Sequence, residues 1–243
     1  MLKERYFQEV QKMLECIINT QSEKIQSGAL LITESLLNGG AIYLYDHGGH
    51  SLQYEGIGRA GGPMFLQPFT FNLNINIPVH PLRSPKEASE LYEVVDLIFK
   101  NSTLQKGDVI IIGSVSGRNP VPIELAIKAK DFRIKTIGIT SITYSKAFPS
   151  RHYSGSKLFE VVDVAIDNCG VVGDAVLEVE GIDVKVCPTS GITGIFILWL
   201  LMSEVIEMLL NRGVKPHIYK SINFDDGKEY NEKALMEYKK TGI

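Results

Sequence analysis

The sequence is poor in cysteine and contains no cluster of basic residues. Its three cysteines, Cys16, Cys169 and Cys187, are scattered over 243 residues and form no CxxC pair. This pattern does not form an even disulfide framework and favours a reducing compartment. The formal charge is −3 and no run of Lys or Arg stands out, so we expect no nucleic-acid partner and no anionic membrane surface.

Long apolar runs are also missing. The N-terminal residues 1–5 lead into a charged amphipathic segment that lacks the apolar core of a signal peptide. The most apolar run, 194–202, is too short to span a bilayer and is closely followed by Ser203, Glu204 and Glu207. We therefore predict a buried helix there, no membrane partner and a cytoplasmic location.

What the sequence does contain is an alternation of apolar strands and amphipathic helices. Strands are predicted at 41–45, 109–112, 134–139 and 161–166, with helices between them and a long helix over 189–211. This order is typical of an α/β protein with a doubly wound parallel sheet in three α/β/α layers. We predict two helices within residues 1–40, the second started by the capping box of Thr20 and Glu23. The predicted organisation is a single domain: the helices of 1–40, a core over 41–220 and a charged helical tail over 221–243.

Three segments are harder to assign. Residues 184–187 fit either a fifth strand of the sheet or a strand paired with 176–179. Residues 56–80 are rich in Gly, Pro and Asn, which predicts a long loop with short pieces of structure. A second capping box with proline, at 84–87, predicts a helix that runs to about residue 101.

Hydroxyl side chains follow three of the predicted strands. Ser51 follows the first strand, Ser114 and Ser116 follow the second, and Thr140 and Ser141 follow the third. Because parallel strands place their carboxyl ends at one edge of the sheet, these loops are expected to meet. A pocket of hydroxyls with few fixed charges suits a sugar phosphate, although Ser and Thr also cap helices and turns.

The loop after the second strand carries the most specific signal. Gly117 permits close backbone approach, and Asn119-Pro120 opens a helix whose N-terminal N–H groups attract an oxyanion. A tight strand–helix turn with a serine cap is the alternative.

Several segments together resemble one family. The loop Ser-Val-Ser-Gly-Arg-Asn at 114–119 has the Ser-x-Ser-Gly-x-Asn/Ser/Thr pattern of the sugar isomerase (SIS) domain family. Gly-Gly-His-Ser at 48–51 and Thr-Ser at 140–141 are similar to its other two loops. The resemblance covers roughly residues 1–220. It extends to the UPF0309 group through the segments 59–62, 116–122, 149–152 and 188–190, and the chain is phosphoheptose isomerase-like.

The resemblance implies an SIS fold, a phosphorylated sugar as ligand and a homodimer with its sites near the interface. It leaves the reaction open, since the family includes aldose–ketose isomerases, an ether-cleaving lyase and sensor domains without chemistry. We predict a sugar-phosphate isomerase. A non-catalytic phosphosugar sensor or regulatory module and an amino-sugar-phosphate lyase or etherase are the alternatives.

The catalytic residues are the least determined part of the prediction. Isomerases and the etherase of this family carry a glutamate where this chain has Ala60-Gly61. The UPF0309 group resembles this chain in having a Glu soon after the first-loop Ser, and we predict Glu55 as the base because of its position four residues after Ser51. Isomerisation also needs a group that polarises the carbonyl oxygen, for which His47, His50 and His152 are candidates.

Metal binding is a separate possibility at the first loop. His47, His50 and Glu55 could hold a divalent metal, as in some phosphoheptose isomerases of this fold. Their spacing matches no defined metal motif. We therefore predict no resident metal and no cofactor.

Overall fold

The computed structural model describes residues 1–48, 52–71, 82 and 94–243. The helices in these ranges are α1 (Leu2–Leu37), α2 (Leu52–Gly56), α3 (Val94–Asn101), α4 (Pro120–Asp131), α5 (Ile142–Ala147), α6 (Leu158–Val161), α7 (Ser190–Asn211) and α8 (Gly227–Thr241). The strands are β1 (Ile42–Asp46), β2 (Leu66–Pro68), β3 (Val109–Gly113), β4 (Lys135–Thr140), β5 (Val164–Asp167), β6 (Ala175–Leu177) and β7 (Val186–Pro188).

The main sheet has five parallel strands in the order β2-β1-β3-β4-β5. The central strand β3 is buried throughout, as expected of a β-branched run covered on both faces. Its residues alternate between two cores: Val109 and Ile111 face one, and Ile110 and Ile112 face the other. The predicted α/β fold with a doubly wound parallel sheet is confirmed.

Helices cover each face of this sheet. The first core joins α1 and α7 to the sheet, and the second joins α3, α4 and α6 to the opposite face. Contact between α1 and α7 is close at Gly28, where an added Cβ would lie 3.1 Å from Leu201 Cδ1. A side chain at this position would push the two helices apart, which explains why α1 tolerates a glycine in its interior.

The prediction of two N-terminal helices was wrong, because α1 is one helix of 36 residues. Thr20 does not cap a second helix; its hydroxyl donates to the carbonyl of Cys16 one turn earlier, at 2.7 Å. No proline interrupts residues 2–37, and burial against α7 and the sheet extends from Met13 to Leu36. Tertiary packing therefore overrides the local capping pattern.

Two shorter elements settle the segments left open by the sequence. Residues 186–188 pair antiparallel with 175–177, so this region is a separate two-stranded ribbon and not a fifth strand of the main sheet. Within the predicted loop 56–80, Leu66–Pro68 forms the edge strand β2 beside β1. The start of the helix predicted from residue 84 lies outside the described residues, and α3 is its described end.

The long apolar helix α7 is a core element of the fold. By length and composition alone it could cross a membrane. Its buried residues, among them Ile197, Leu198 and Leu201, pack into the first core against α1 and the sheet. This packing accounts for the apolar composition of α7 and agrees with a soluble protein. The cytoplasmic location stays a prediction.

Two side chains that flank β5, Asp163 and Cys169, have shifted pKa values. Burial would raise the pKa of Asp163, but hydrogen bonds from Lys135 and Thr136 outweigh it and hold that pKa below its usual value. At the other end of β5, Cys169 lies beside α1. Burial, contact with Cys16 and the charge of Asp167 raise the pKa of the Cys169 thiol to about 12.

Candidate functional site

The site lies where the chain reverses its direction of travel across the sheet. From β1 the chain passes to the edge strand β2 on one side, and from β3 it continues to β4 and β5 on the other. In open α/β sheets, ligands bind outside the carboxyl ends of the strands at such a point. The loop after β1 and the loop after β3 are joined there, because the N–H of His47 donates to the carbonyl of Gly113 at 2.9 Å.

The loop 114–119 is folded tightly around Gly117. Gly117 has a φ of +56°, in the left-handed region, and its N–H donates to the carbonyl of Ser114 at 3.1 Å. An added Cβ would lie 2.6 Å from the hydroxyl oxygens of both Thr140 and Ser145. Only glycine fits this position, for reasons of both conformation and space.

Helix α4 begins immediately after this loop. Asn119 is its N-cap in an extended conformation, and Pro120 occupies the first helical turn. The Asn119 side chain makes no capping hydrogen bond. Because Pro120 and Pro122 carry no N–H, Val121 supplies the backbone donor among the first three helical positions, and it could bind an oxyanion together with the partial positive charge of the helix N-terminus.

Thr140 and Ser141, predicted as phosphate ligands, lie beneath the loop. Both are fully buried, and their hydroxyls donate to main-chain carbonyls, Thr140 to Val115 at 3.1 Å and Ser141 to Gly170 at 2.7 Å. Ser141 also caps α5 by accepting the N–H of Tyr144 at 3.1 Å. These two side chains position the loop from below.

Ser114 and Ser116 lie above them and face a cavity of about 260 Å³. The cavity is lined by His47, Gly48, Ser114, Val115, Ser116, Asn119, Tyr144, Gly173 and Asp174. In the described part of the chain, neither of these two serine hydroxyls has a hydrogen-bond partner, unlike those of Thr140 and Ser141. The structure thus brings together Ser114, Ser116 and Asn119 from the predicted set.

His47 contributes an imidazole to the same cavity. Its Nδ1 lies 3.1 Å from the hydroxyl of Tyr45, which is buried in the second core. This contact fixes the orientation of the ring at the carboxyl end of β1. His50 and Ser51, the other predicted residues of this loop, lie outside the described residues.

Asp174 and Tyr144 line the cavity although neither was assigned a role from the sequence. Asp174 has a left-handed φ of +69°. Its carboxylate accepts the backbone N–H groups of Thr189 and Ser190 at 3.0 and 2.8 Å and the Ser190 hydroxyl at 2.7 Å. Asp174 therefore caps the N-terminus of α7 and forms part of the cavity wall.

Glu55 lies outside the cavity wall. It is on α2, and its carboxylate forms an ion pair with Arg59 Nε at 3.2 Å. Helix α2 is anchored beside the site, since the N–H of Leu52 donates to Asp46 Oδ2 at 3.1 Å.

His152 is also separate from the cavity. Its side chain is fully buried, with Nε2 at 2.7 Å from Glu124 Oε2 and Nδ1 at 2.8 Å from the Ser154 hydroxyl. Both ring nitrogens are thus engaged, and the contact with Glu124 fastens the segment around residue 152 to α4.

Comparison with known proteins identifies the family of this chain. Residues 5–141 match the SIS domain family model. A UPF0309 protein of Geobacillus sp. (strain WCH70) is 36% identical over 240 residues, covering 97% of this chain and 95% of the relative. A UPF0309 protein of Caldanaerobacter subterraneus subsp. tengcongensis is 39% identical over 242 residues, covering 97% and 96%. The chain therefore belongs to the SIS domain family, in its UPF0309 group.

A solved structure shows the same fold. The phosphoheptose isomerase from Neisseria gonorrhoeae superposes with a TM-score of 0.51 at 18% identity, covering 84% of this chain and 97% of that one. Membership of the SIS domain family supports the binding of a phosphosugar.

Proposed function

We propose that this protein binds a phosphorylated sugar in the cavity between the β1 and β3 loops and interconverts its aldose and ketose forms. The observation that carries the proposal is the pair of serines, Ser114 and Ser116, which face a cavity beside the N-terminus of α4. The cavity has a volume of about 260 Å³, close to the lower end of the range of about 300–1,000 Å³ for small-molecule pockets.

The phosphate would occupy the loop 114–119. The hydroxyls of Ser114 and Ser116 donate to it, together with main-chain N–H groups near Gly117 and at the start of α4. Thr140 and Ser141 support this arrangement indirectly by holding the Val115 and Gly170 carbonyls. Ser51 remains a proposed further donor from the first loop.

Two residues are assigned to the chemistry. His47 polarises the carbonyl oxygen, and Glu55 removes the proton from the neighbouring carbon and returns it to the former carbonyl carbon. Because Glu55 does not line the cavity, the open-chain sugar must extend from the phosphate past His47 towards α2. The ion pair with Arg59 holds the Glu55 carboxylate on the surface of α2, with 3.2 Å between Arg59 Nε and Glu55 Oε2.

One observation favours a second candidate, a phosphosugar sensor without catalysis. Among the described residues that line the cavity, Asp174 is the one carboxylate, and its oxygens already hold the N-terminus of α7. A cavity without an available base would bind a sugar phosphate without converting it.

Binding is tested by thermal unfolding with a panel of sugar phosphates. A specific ligand at 100 times its dissociation constant should add about 2.7 kcal/mol to the free energy of unfolding. The double variant Ser114→Ala, Ser116→Ala should lose this stabilisation, and Ser22→Ala, an exposed serine on α1, should keep it. Equal stabilisation of the double variant and the native protein would place the site elsewhere.

Turnover is tested by incorporation of solvent deuterium into the bound sugar. The native protein should catalyse exchange, and Glu55→Gln should bind equally well but turn over at least about 100-fold more slowly. Binding without exchange by the native protein would select the sensor. Release of a side-chain acid or an amine in place of an isomeric sugar would select the lyase or etherase.

We also propose a homodimer. The outer side of α1 exposes Phe7, Ile18 and Leu30, which are 66%, 44% and 45% accessible, and α7 exposes Leu210 at 53%. Covering these side chains would remove apolar surface from water. Light scattering at micromolar concentration should report twice the mass of the chain, and a monomer would refute this assignment.

A further inference from the structure

Arg118 stands inside the phosphosugar loop, and none of the described residues forms an ion pair with it. Its guanidinium stacks on the ring of Phe148, with Cζ 5.2 Å from the ring centroid. Stacking uses the face of the guanidinium and leaves the N–H donors in its plane available. One of them, Nε–H, is buried, and no hydrogen-bond partner for it is found among the described residues.

A second guanidinium adjoins the first. Arg151 Nη1 donates to Asn119 Oδ1 at 3.3 Å, and the N–H of Arg151 donates to the carbonyl of Arg118 at 3.0 Å. Asn119 lines the cavity, so Arg151 is one residue removed from the cavity wall. Within the described ranges, no carboxylate lies within ion-pairing distance of Arg118 or Arg151.

A third cation strengthens the positive charge here. The ammonium of Lys157 is buried and donates to the carbonyls of Ser145 and Phe148. Two neighbouring carboxylates already have hydrogen-bond partners. Glu160 accepts the backbone N–H of Lys157, and Glu124 Oε2 lies 2.7 Å from His152 Nε2. Three cationic side chains, Arg118, Arg151 and Lys157, therefore lie close to Phe148 and Asn119.

We propose that Arg118 and Arg151 bind a second anionic group of the ligand, so the preferred ligand is a sugar phosphate that carries an additional phosphate or carboxylate. This inference rests on the proposed phosphosugar site. Arg118 is not part of the cavity wall formed by Ser114 and Ser116, and the hydroxyls and N–H groups there already suit one phosphate. Bidentate guanidinium contacts suit phosphate and carboxylate alike.

Two matched pairs of probes distinguish a phosphate from a carboxylate as the second anionic group. Glucose 1,6-bisphosphate is compared with glucose 6-phosphate, and 6-phosphogluconate with sorbitol 6-phosphate, by titration calorimetry at fixed ionic strength. In at least one pair, the native protein should bind the probe with the additional anion at least about tenfold more tightly. The pair that shows the preference identifies the second group as a phosphate or a carboxylate.

The variants then assign this preference to the arginines. Arg118→Gln and Arg151→Gln should each weaken binding of the probe with the additional anion more than binding of its monophosphate partner, and so reduce the preference. Lys130→Gln removes a charge of the same sign from the last turn of α4, at the far end from the loop, and should leave the preference intact. Arg151→Gln, at an exposed position, remains informative if Arg118→Gln fails to fold.

Three results would overturn the inference. Equal affinity within both pairs would refute it while the proposed function stands. Equal weakening of both members of a pair by Arg118→Gln would show that the guanidinium contacts the shared phosphate. Absence of binding by all four probes would reject the proposed function and this inference together.

Discussion

Replacing Gly117 by alanine tests how the phosphosugar loop is held. The residue has a φ of +56°, and a non-glycine residue in this conformation costs about 1–2 kcal/mol. The new Cβ would also lie 2.6 Å from the hydroxyls of Thr140 and Ser145. These hydroxyls donate to the carbonyls of Val115 and Ser116, at 3.1 and 2.6 Å, and displacing them endangers two hydrogen bonds of about 1 kcal/mol each.

The expected loss in the free energy of unfolding is therefore about 3–4 kcal/mol, from backbone strain and two hydrogen bonds together. Gly213→Ala is the matched control. Gly213 has a φ of +75° and nothing within 4 Å of an added Cβ, so it experiences the backbone strain alone. Both substitutions restrict the unfolded chain to a similar extent, so that contribution cancels in the comparison.

Urea unfolding followed by circular dichroism provides the measurement. Gly117→Ala should be less stable than Gly213→Ala by about 2 kcal/mol, the part due to the two hydrogen bonds. It should also lose the stabilisation that a sugar phosphate confers on the native protein, which Gly213→Ala should retain. If the two variants are equally stable, the hydroxyls below the loop do not hold it, and the argument built on their hydrogen bonds fails.

Three further predictions concern other parts of the fold. Because its pKa is lowered on folding, ionised Asp163 stabilises the protein in full above pH 3.8, and this contribution is lost as the pH falls through the folded pKa. The stability difference between Asp163→Asn and the native protein should therefore shrink below that pH, and a difference that grows in acid would contradict the sign. At pH 8, iodoacetamide should alkylate exposed Cys187 at least about tenfold faster than Cys169, whose pKa is raised to about 12; equal rates by mass spectrometry would contradict the burial of Cys169. Asp174→Gly keeps the left-handed backbone but removes the cap of α7, so it should lower the free energy of unfolding by about 1–2 kcal/mol, and an unchanged urea midpoint would refute this role.

Four of the five strands of the main sheet were predictable from the sequence, because they are short apolar runs bounded by polar or turn-forming residues. Strand β3 ends one residue later than predicted, and β4 begins and ends one residue later than predicted. The break expected at Thr20 failed because the capping pattern is local, whereas continuous burial against α7 is a tertiary effect. The edge strand β2 was missed because it has three residues in a segment rich in turn-forming residues.

The candidate site was predictable only where a residue directly follows a strand. Ser114, Ser116 and His47 were located by this rule and line the cavity. Asp174 was missed because the segment after β5 returns to the cavity, and no pattern in the sequence indicates that this segment lies there. The contact responsible is tertiary: the Ser141 hydroxyl donates to the carbonyl of Gly170, at the start of the segment that leads to Asp174.

Asp174 has two structural roles, and this limits the substitutions by which the ligand specificity of the protein can change. The carboxylate that forms part of the cavity wall also holds the first turn of the helix that fills the core. A substitution there that suits a new ligand also removes the cap of α7. Specificity should therefore change more readily at Tyr144, a half-buried side chain of the same wall that does not cap α7. A library randomised at positions 144 and 174 and sorted for stability should therefore retain more different residues at 144 than at 174.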